Sequence, residues 1–155
     1  MTTEASEEQF KLGKRFLRDD NLDKALRAFE KAYKEDKGNP YYMSYYGLCK
    51  ALRGSEIGLA LELCTRAIKK EFYKVEFYIN LGRVYMTTGN KKGAIQVFTK
   101  GLRFDPNNED INRYLIELGF RNKPIIPVLK RANPINKLLG IIVRRTLPNI
   151  FKKKA

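Results

Sequence analysis

Apolar residues recur at helical spacing through the first part of the chain. Leu12, Phe16 and Leu17 share one face, Leu81, Val84, Tyr85 and Met86 a second, and Ala94, Ile95, Phe98 and Leu102 a third. Such spacing belongs to amphipathic helices rather than to half-buried strands, which alternate residue by residue. Between these stretches stand Asp19-Asp20-Asn21 and Thr88-Gly89-Asn90, residue types that stop one helix and cap the next. The pattern predicts hairpins of two helices joined by short polar turns.

The hairpins repeat. Gly13, Gly47 and Gly82 are spaced by 34 and 35 residues, and Ala25, Ala60 and Ala94 by 35 and 34. Phe29, Cys64 and Phe98 follow at fixed offsets, then Ala32, Ala67 and Gly101. From Gly47 to Ala60 is 13 residues where the other units have 12, which places an extra residue in the turn near Gly54–Gly58, where insertions are tolerated. Antiparallel helices approach closely only where their crossing points lack bulk, so the Gly and Ala series are expected at the crossings, with Phe29 and Phe98 filling the space beside them. A stack of hairpins leaves its last apolar face bare unless a cap covers it. Residues 108–119 fit that role, with Ile111, Tyr114, Leu115 and Leu118 in one stripe and Gly119 placed to end the helix.

These residues resemble the tetratricopeptide repeat (TPR). The third unit matches the motif most fully, through Leu81-Gly82, Tyr85, Gly89, Ala94, Phe98 and Asp105-Pro106. The first keeps Leu12-Gly13, Phe16, Ala25, Phe29 and Ala32 but lacks the closing Asp-Pro. The second departs most, with its extra residue and Cys64 in place of an aromatic. The resemblance spans about residues 6–108. It implies an all-α solenoid of three helical hairpins plus a capping helix over residues 1–121.

Residues 122–155 are expected to form a basic tail. Lys123-Pro-Ile-Ile-Pro-Val-Leu129 is apolar and carries two prolines, which favours an extended segment. Asn133 and Pro134 are placed to start a C-terminal amphipathic helix running to about Leu147, with Ile135, Leu138, Leu139, Ile141, Ile142 and Val143 on a broad apolar arc.

Charge changes the picture in one place. The 155 residues hold 31 Lys and Arg against 17 Asp and Glu, a surplus of 14. Residues 1–110 contain 20 basic and 16 acidic side chains, whereas residues 111–155 contain 11 basic ones and only Glu117. The repeats are nearly balanced, and the excess sits in the tail. With no His and no Trp, the commonest general base and the usual catalytic triads are missing. Cys49 and Cys64 are too few and too isolated for a disulfide framework, which suggests a reducing compartment. The acidic N-terminus is unlike a signal peptide, and no apolar run approaches the roughly 20 residues that span a bilayer. A cytoplasmic protein is expected, with no catalytic residues, no metal site and no cofactor.

In TPR arrays the first helices of successive units line a concave groove that receives peptides. Carried onto this sequence, the resemblance implies a groove through Phe10, Lys14 and Arg18 of the first unit, Tyr41, Tyr45 and Leu48 of the second, and Asn80, Arg83 and Thr87 of the third. Some TPR domains grip the C-terminal Asp of heat-shock chaperones with a clamp of Lys, Asn, Asn, Lys and Arg. Phe10, Lys14, Tyr45, Glu76 and Asn80 occupy those positions here, and none matches, so no chaperone carboxylate clamp is expected. The expected function is that of a non-enzymatic adaptor or scaffold binding a protein or peptide partner. The alternative is recruitment through the tail, with Arg144, Arg145, Lys152, Lys153 and Lys154 binding nucleic acid or an anionic membrane through salt-sensitive contacts.

Overall fold

The computed structural model describes residues 4–120. The chain divides into two units, Met1–Leu118 and Gly119–Ala155. Nearly all of the second lies outside the described residues. So do the expected extended segment, the C-terminal helix, and the cations Arg144, Arg145, Lys152, Lys153 and Lys154.

Seven helices make up the described chain, with no strand among the described residues: α1 (Glu4–Arg18), α2 (Leu22–Glu35), α3 (Pro40–Leu52), α4 (Ile57–Lys70), α5 (Val75–Thr87), α6 (Lys91–Gly101) and α7 (Glu109–Glu117). Pairs α1–α2, α3–α4 and α5–α6 are the three hairpins, and α7 is the capping helix. The starts of α2 and α6 follow from the polar turns. Asn21 Oδ1 accepts from the Lys24 backbone N–H at 3.2 Å, and Asn90 Oδ1 from that of Gly93 at 2.8 Å, satisfying donors that a helix's first turn leaves unpaired. Asn108 caps α7 in the same way through Ile111. Beyond the other end of α7, Gly119 takes φ 74°, the left-handed residue that closes many helices.

The extra residue of the second unit lies in its turn. Four residues, 53–56, separate α3 from α4, where three separate the helices of the other hairpins. Gly54 takes φ 72° and Glu56 φ 47° to reverse the chain there.

Hairpins close where the glycines predict. A Cβ on Gly13 would lie 2.6 Å from the Phe29 ring, and one on Gly82 would fall inside the contact surface of Phe98. Phe29, Phe77 and Phe98 are fully buried, and burying a side chain of this size stabilises by roughly 1.5–3 kcal/mol. Helix α3 is the most enclosed: nine of its 13 residues are buried, because it packs against α2, α4 and α5. On the far side, Ile111 and Leu115 of α7 cover Ala94 and Phe98, so the third hairpin does not expose its apolar face.

Candidate functional site

The first helix of each hairpin and the capping helix together line a pocket of about 340 Å³. Its walls are Lys14, Leu17 and Arg18 from α1, Tyr45 from α3, Glu76, Ile79, Asn80 and Arg83 from α5, and Asp110, Arg113 and Tyr114 from α7.

Two buried polar contacts fix the floor. Asn80, 2% exposed, donates through Nδ2 to Ser44 Oγ at 3.0 Å. Under it the Cys64 thiol donates to the Ser44 carbonyl at 3.4 Å. Both satisfy polar groups that would otherwise be costly to bury. Above them the Tyr45 hydroxyl donates a short hydrogen bond to the Glu76 carboxylate. Burial and then that bond hold the Tyr45 phenol well above its ordinary range, with the positive charge of Arg83 pulling the other way. Lys14 Nζ approaches the same carboxylate at 3.4 Å and stands 5.8 and 5.5 Å over the rings of Phe10 and Tyr45. Glu76 is therefore an internal acceptor serving two groups from two other hairpins.

The remaining charges are unequal. Arg113 pairs with Asp110 at 2.6 Å on its own helix. Arg18 and Arg83 have no carboxylate partner among the described residues. Both line the pocket beside Leu17, Ile79 and Tyr114, so cationic and apolar groups converge there.

Of the residues the repeat places in the groove, Lys14, Arg18, Tyr45, Asn80 and Arg83 line this pocket. The others have different surroundings. Leu48 is fully enclosed in the core between α3, α4 and α5. Phe10 packs its ring 5.6 Å from Phe29 and 5.2 Å from Tyr45, and Tyr41 lies edge-on to Phe77 at 4.9 Å. The Thr87 hydroxyl donates to the Val84 carbonyl of its own helix at 2.8 Å. Those four side chains are engaged in packing or in helix termination. Of these four, Leu48 is buried, Phe10 and Tyr41 are half-buried, and Thr87 is exposed.

The α7 wall was not anticipated, although the period contains it. Asp110 and Tyr114 stand 34 residues beyond Glu76 and Asn80; the capping helix repeats the first helix of a hairpin and contributes as one.

Nothing among the described residues resembles a catalytic or metal centre. No group of three or more Cys, Asp or Glu is placed to hold an ion there. Burial pushes the Cys49 and Cys64 thiols up to about 12, the opposite of an activated nucleophile. No helix among the described residues is long and apolar enough to cross a membrane.

A helical-repeat scaffold with a concave pocket is the architecture of proteins that hold other proteins. Two tetratricopeptide-repeat family models match, over residues 10–70 and 75–108, together more than half of the chain. The chain belongs to the tetratricopeptide-repeat family. Among solved structures it is similar to the TPR domain of Arabidopsis OM64, at 22% identity over 77% of this chain and 98% of that one, with a TM-score of 0.64. The first TPR of Spaghetti (RPAP3), bound to the HSP90 peptide SRMEEVD, is 16% identical over 77% of this chain and 96% of that one, with a TM-score of 0.63. An O-GlcNAc transferase mutant from Thermobaculum terrenum is 21% identical over 94% of this chain but 27% of its own length, with a TM-score of 0.69. No curated protein matches in sequence.

Proposed function

We propose that the chain is a non-enzymatic adaptor whose concave pocket receives a peptide segment bearing an acidic group beside an apolar side chain. The observation that carries this reading is the pair Arg18 and Arg83, without carboxylate partners among the described residues, in a pocket walled by Leu17, Ile79 and Tyr114. A guanidinium offers a carboxylate two parallel hydrogen bonds, and the adjoining apolar wall gives an anchor side chain somewhere to be buried.

Chaperone tails are poor candidates for the occupant. Glu76 brings a fixed negative charge, already engaged by Lys14 and Tyr45, to a position where the clamp carries a cation. Asn80 is spent on Ser44. A peptide ending in Glu-Glu-Val-Asp should not bind at micromolar concentration, and such binding would refute this part of the reading.

The test is selection from a peptide library on the full chain, followed by titration of the selected peptides. Arg18→Ala and Arg83→Ala should each weaken binding about 10- to 100-fold, as expected for a lost charge-assisted hydrogen bond. Lys14→Ala should change it little. Selected peptides without an acidic residue, or binding indifferent to both arginines, would overturn the proposal.

A further inference from the structure

The two turns that connect one hairpin to the next, and the turn that leads from the third hairpin into α7, share one hydrogen bond. In each, a backbone N–H donates to the carbonyl three residues earlier: Asn39 to Asp36 at 3.3 Å, Lys74 to Glu71 at 3.2 Å, and Asn108 to Asp105 at 3.2 Å. Their sequences differ sharply at equivalent positions. The first turn carries Lys37-Gly38-Asn39 and the third Pro106-Asn107-Asn108, whereas the second carries Phe72-Tyr73-Lys74. Gly, Pro and Asn suit turns, and Asn39 and Asn108 also cap the following helix through their side chains. Lys74 at the same position makes no side-chain cap.

The rings of this turn contact one another and, through Phe104, Tyr78, yet stay largely in solvent. Phe72 is 61% exposed and Tyr73 54%. Phe104, from the adjoining turn, is 41% exposed and lies 5.9 Å from Phe72 between ring centres. Residues that break a local rule and still leave large apolar area in water are candidates for a functional position. Lys69 and Lys70 end α4 just before Phe72 in the chain, and Lys74 Nζ lies 5.2 Å over Tyr73 and 5.9 Å over Tyr41. The nearby acids are Glu71 and Asp105, and Asp105 is occupied by Asn107 and Asn108.

We infer that Phe72, Tyr73 and Phe104 form a membrane-surface site, in which the rings enter the headgroup region of an anionic bilayer while Lys69, Lys70 and Lys74 face its phosphates. Exposed aromatics flanked by lysines suit the boundary between hydrocarbon and headgroups. Anionic lipid attracts each nearby lysine, and stable attachment takes a second signal. The surplus of basic residues after position 110 supplies one in this same chain. Stacking on nucleic-acid bases is disfavoured by the ring geometry. Phe72 meets Tyr73 at 88° and Phe104 at 60°, so the rings cover one another's edges rather than presenting successive parallel faces.

The full chain, which lacks Trp, permits a direct test with Phe72→Trp. Its emission should shift to the blue on adding vesicles of phosphatidylcholine mixed with phosphatidylglycerol, and stay unchanged with phosphatidylcholine alone. A second variant, Phe72→Pro with Tyr73→Asn, installs the third turn's residues. It should melt no lower than the parent yet lose about tenfold or more in vesicle partitioning, as expected when two aromatic side chains no longer insert. Absence of vesicle binding, an unmoved tryptophan, or unchanged partitioning of the double variant would overturn the proposal. So would a tryptophan response to a single-stranded oligonucleotide or an acidic protein but not to anionic vesicles.

Discussion

The first and third hairpins close their seam with a ring, and the second closes it with backbone. Gly13 and Gly82 each lie under a buried phenylalanine, Phe29 and Phe98. At the equivalent crossing, a Cβ on Gly47 would lie 2.9 Å from the Ala60 carbonyl oxygen and 3.1 Å from Cys64 Sγ. The small thiol lets α4 come against α3 directly, and α3 is covered on its other sides by α2 and α5. A central hairpin can thus dispense with the aromatic, because its neighbours supply the apolar contacts that a hairpin nearer the end takes from its own ring.

Truncating the ring should break this contrast most visibly. Phe98→Ala is expected to cost about 3–5 kcal/mol, and Gly82→Ala, which forces a methyl into the same ring, about 1–3 kcal/mol or more. Cys64→Ala, which removes a single sulfur, should cost far less than Phe98→Ala. Equal losses in urea denaturation would mean that the two seams are not different.

Alkali should come next. The Cys49 and Cys64 thiols are raised by burial from 9.0 to about 12. Between those values the folded chain keeps protons that the unfolded chain releases, so stability is full below about pH 9 and falls as pH rises toward 12. Both thiols lie in the second hairpin. Urea midpoints measured at pH 8 and above pH 10 should show the fall, and Cys64→Ala should make it shallower; a flat profile would contradict the assignment.

The smallest effects concern the turns. Asn108→Ala should lose about 1 kcal/mol with its cap, and Lys74→Asn should gain a few tenths to 1 kcal/mol by restoring one. Thermal melts of the two variants moving in the same direction would show that the second turn is not uncapped in solution.

Much of the architecture was legible because the glycine, alanine and aromatic series mark crossings whose geometry depends on side-chain volume. The polar turns declare their caps, and even the extra residue announces its turn. The pocket was only half legible. Lys14, Arg18 and Arg83 follow from the repeat, but the enclosure of Leu48 and the engagement of Asn80 with Ser44 depend on how adjacent hairpins meet. The bond from Tyr45 to Glu76 links residues 31 apart, and no pattern within one unit reveals it. The α7 wall was missed because a capping helix is usually read for what it covers.

That wall bears on cooperativity. The pocket takes one side from each of α1, α3, α5 and α7, while neighbouring helices contribute most of the contacts along the stack. Fraying α7 would leave three hairpins folded and the pocket open along one side. If the pocket holds the proposed peptide, its occupancy is linked to the stacking equilibrium of the whole array. A ligand that spans it adds its binding free energy to helices it never touches, and substitutions remote from the pocket register as changes in affinity.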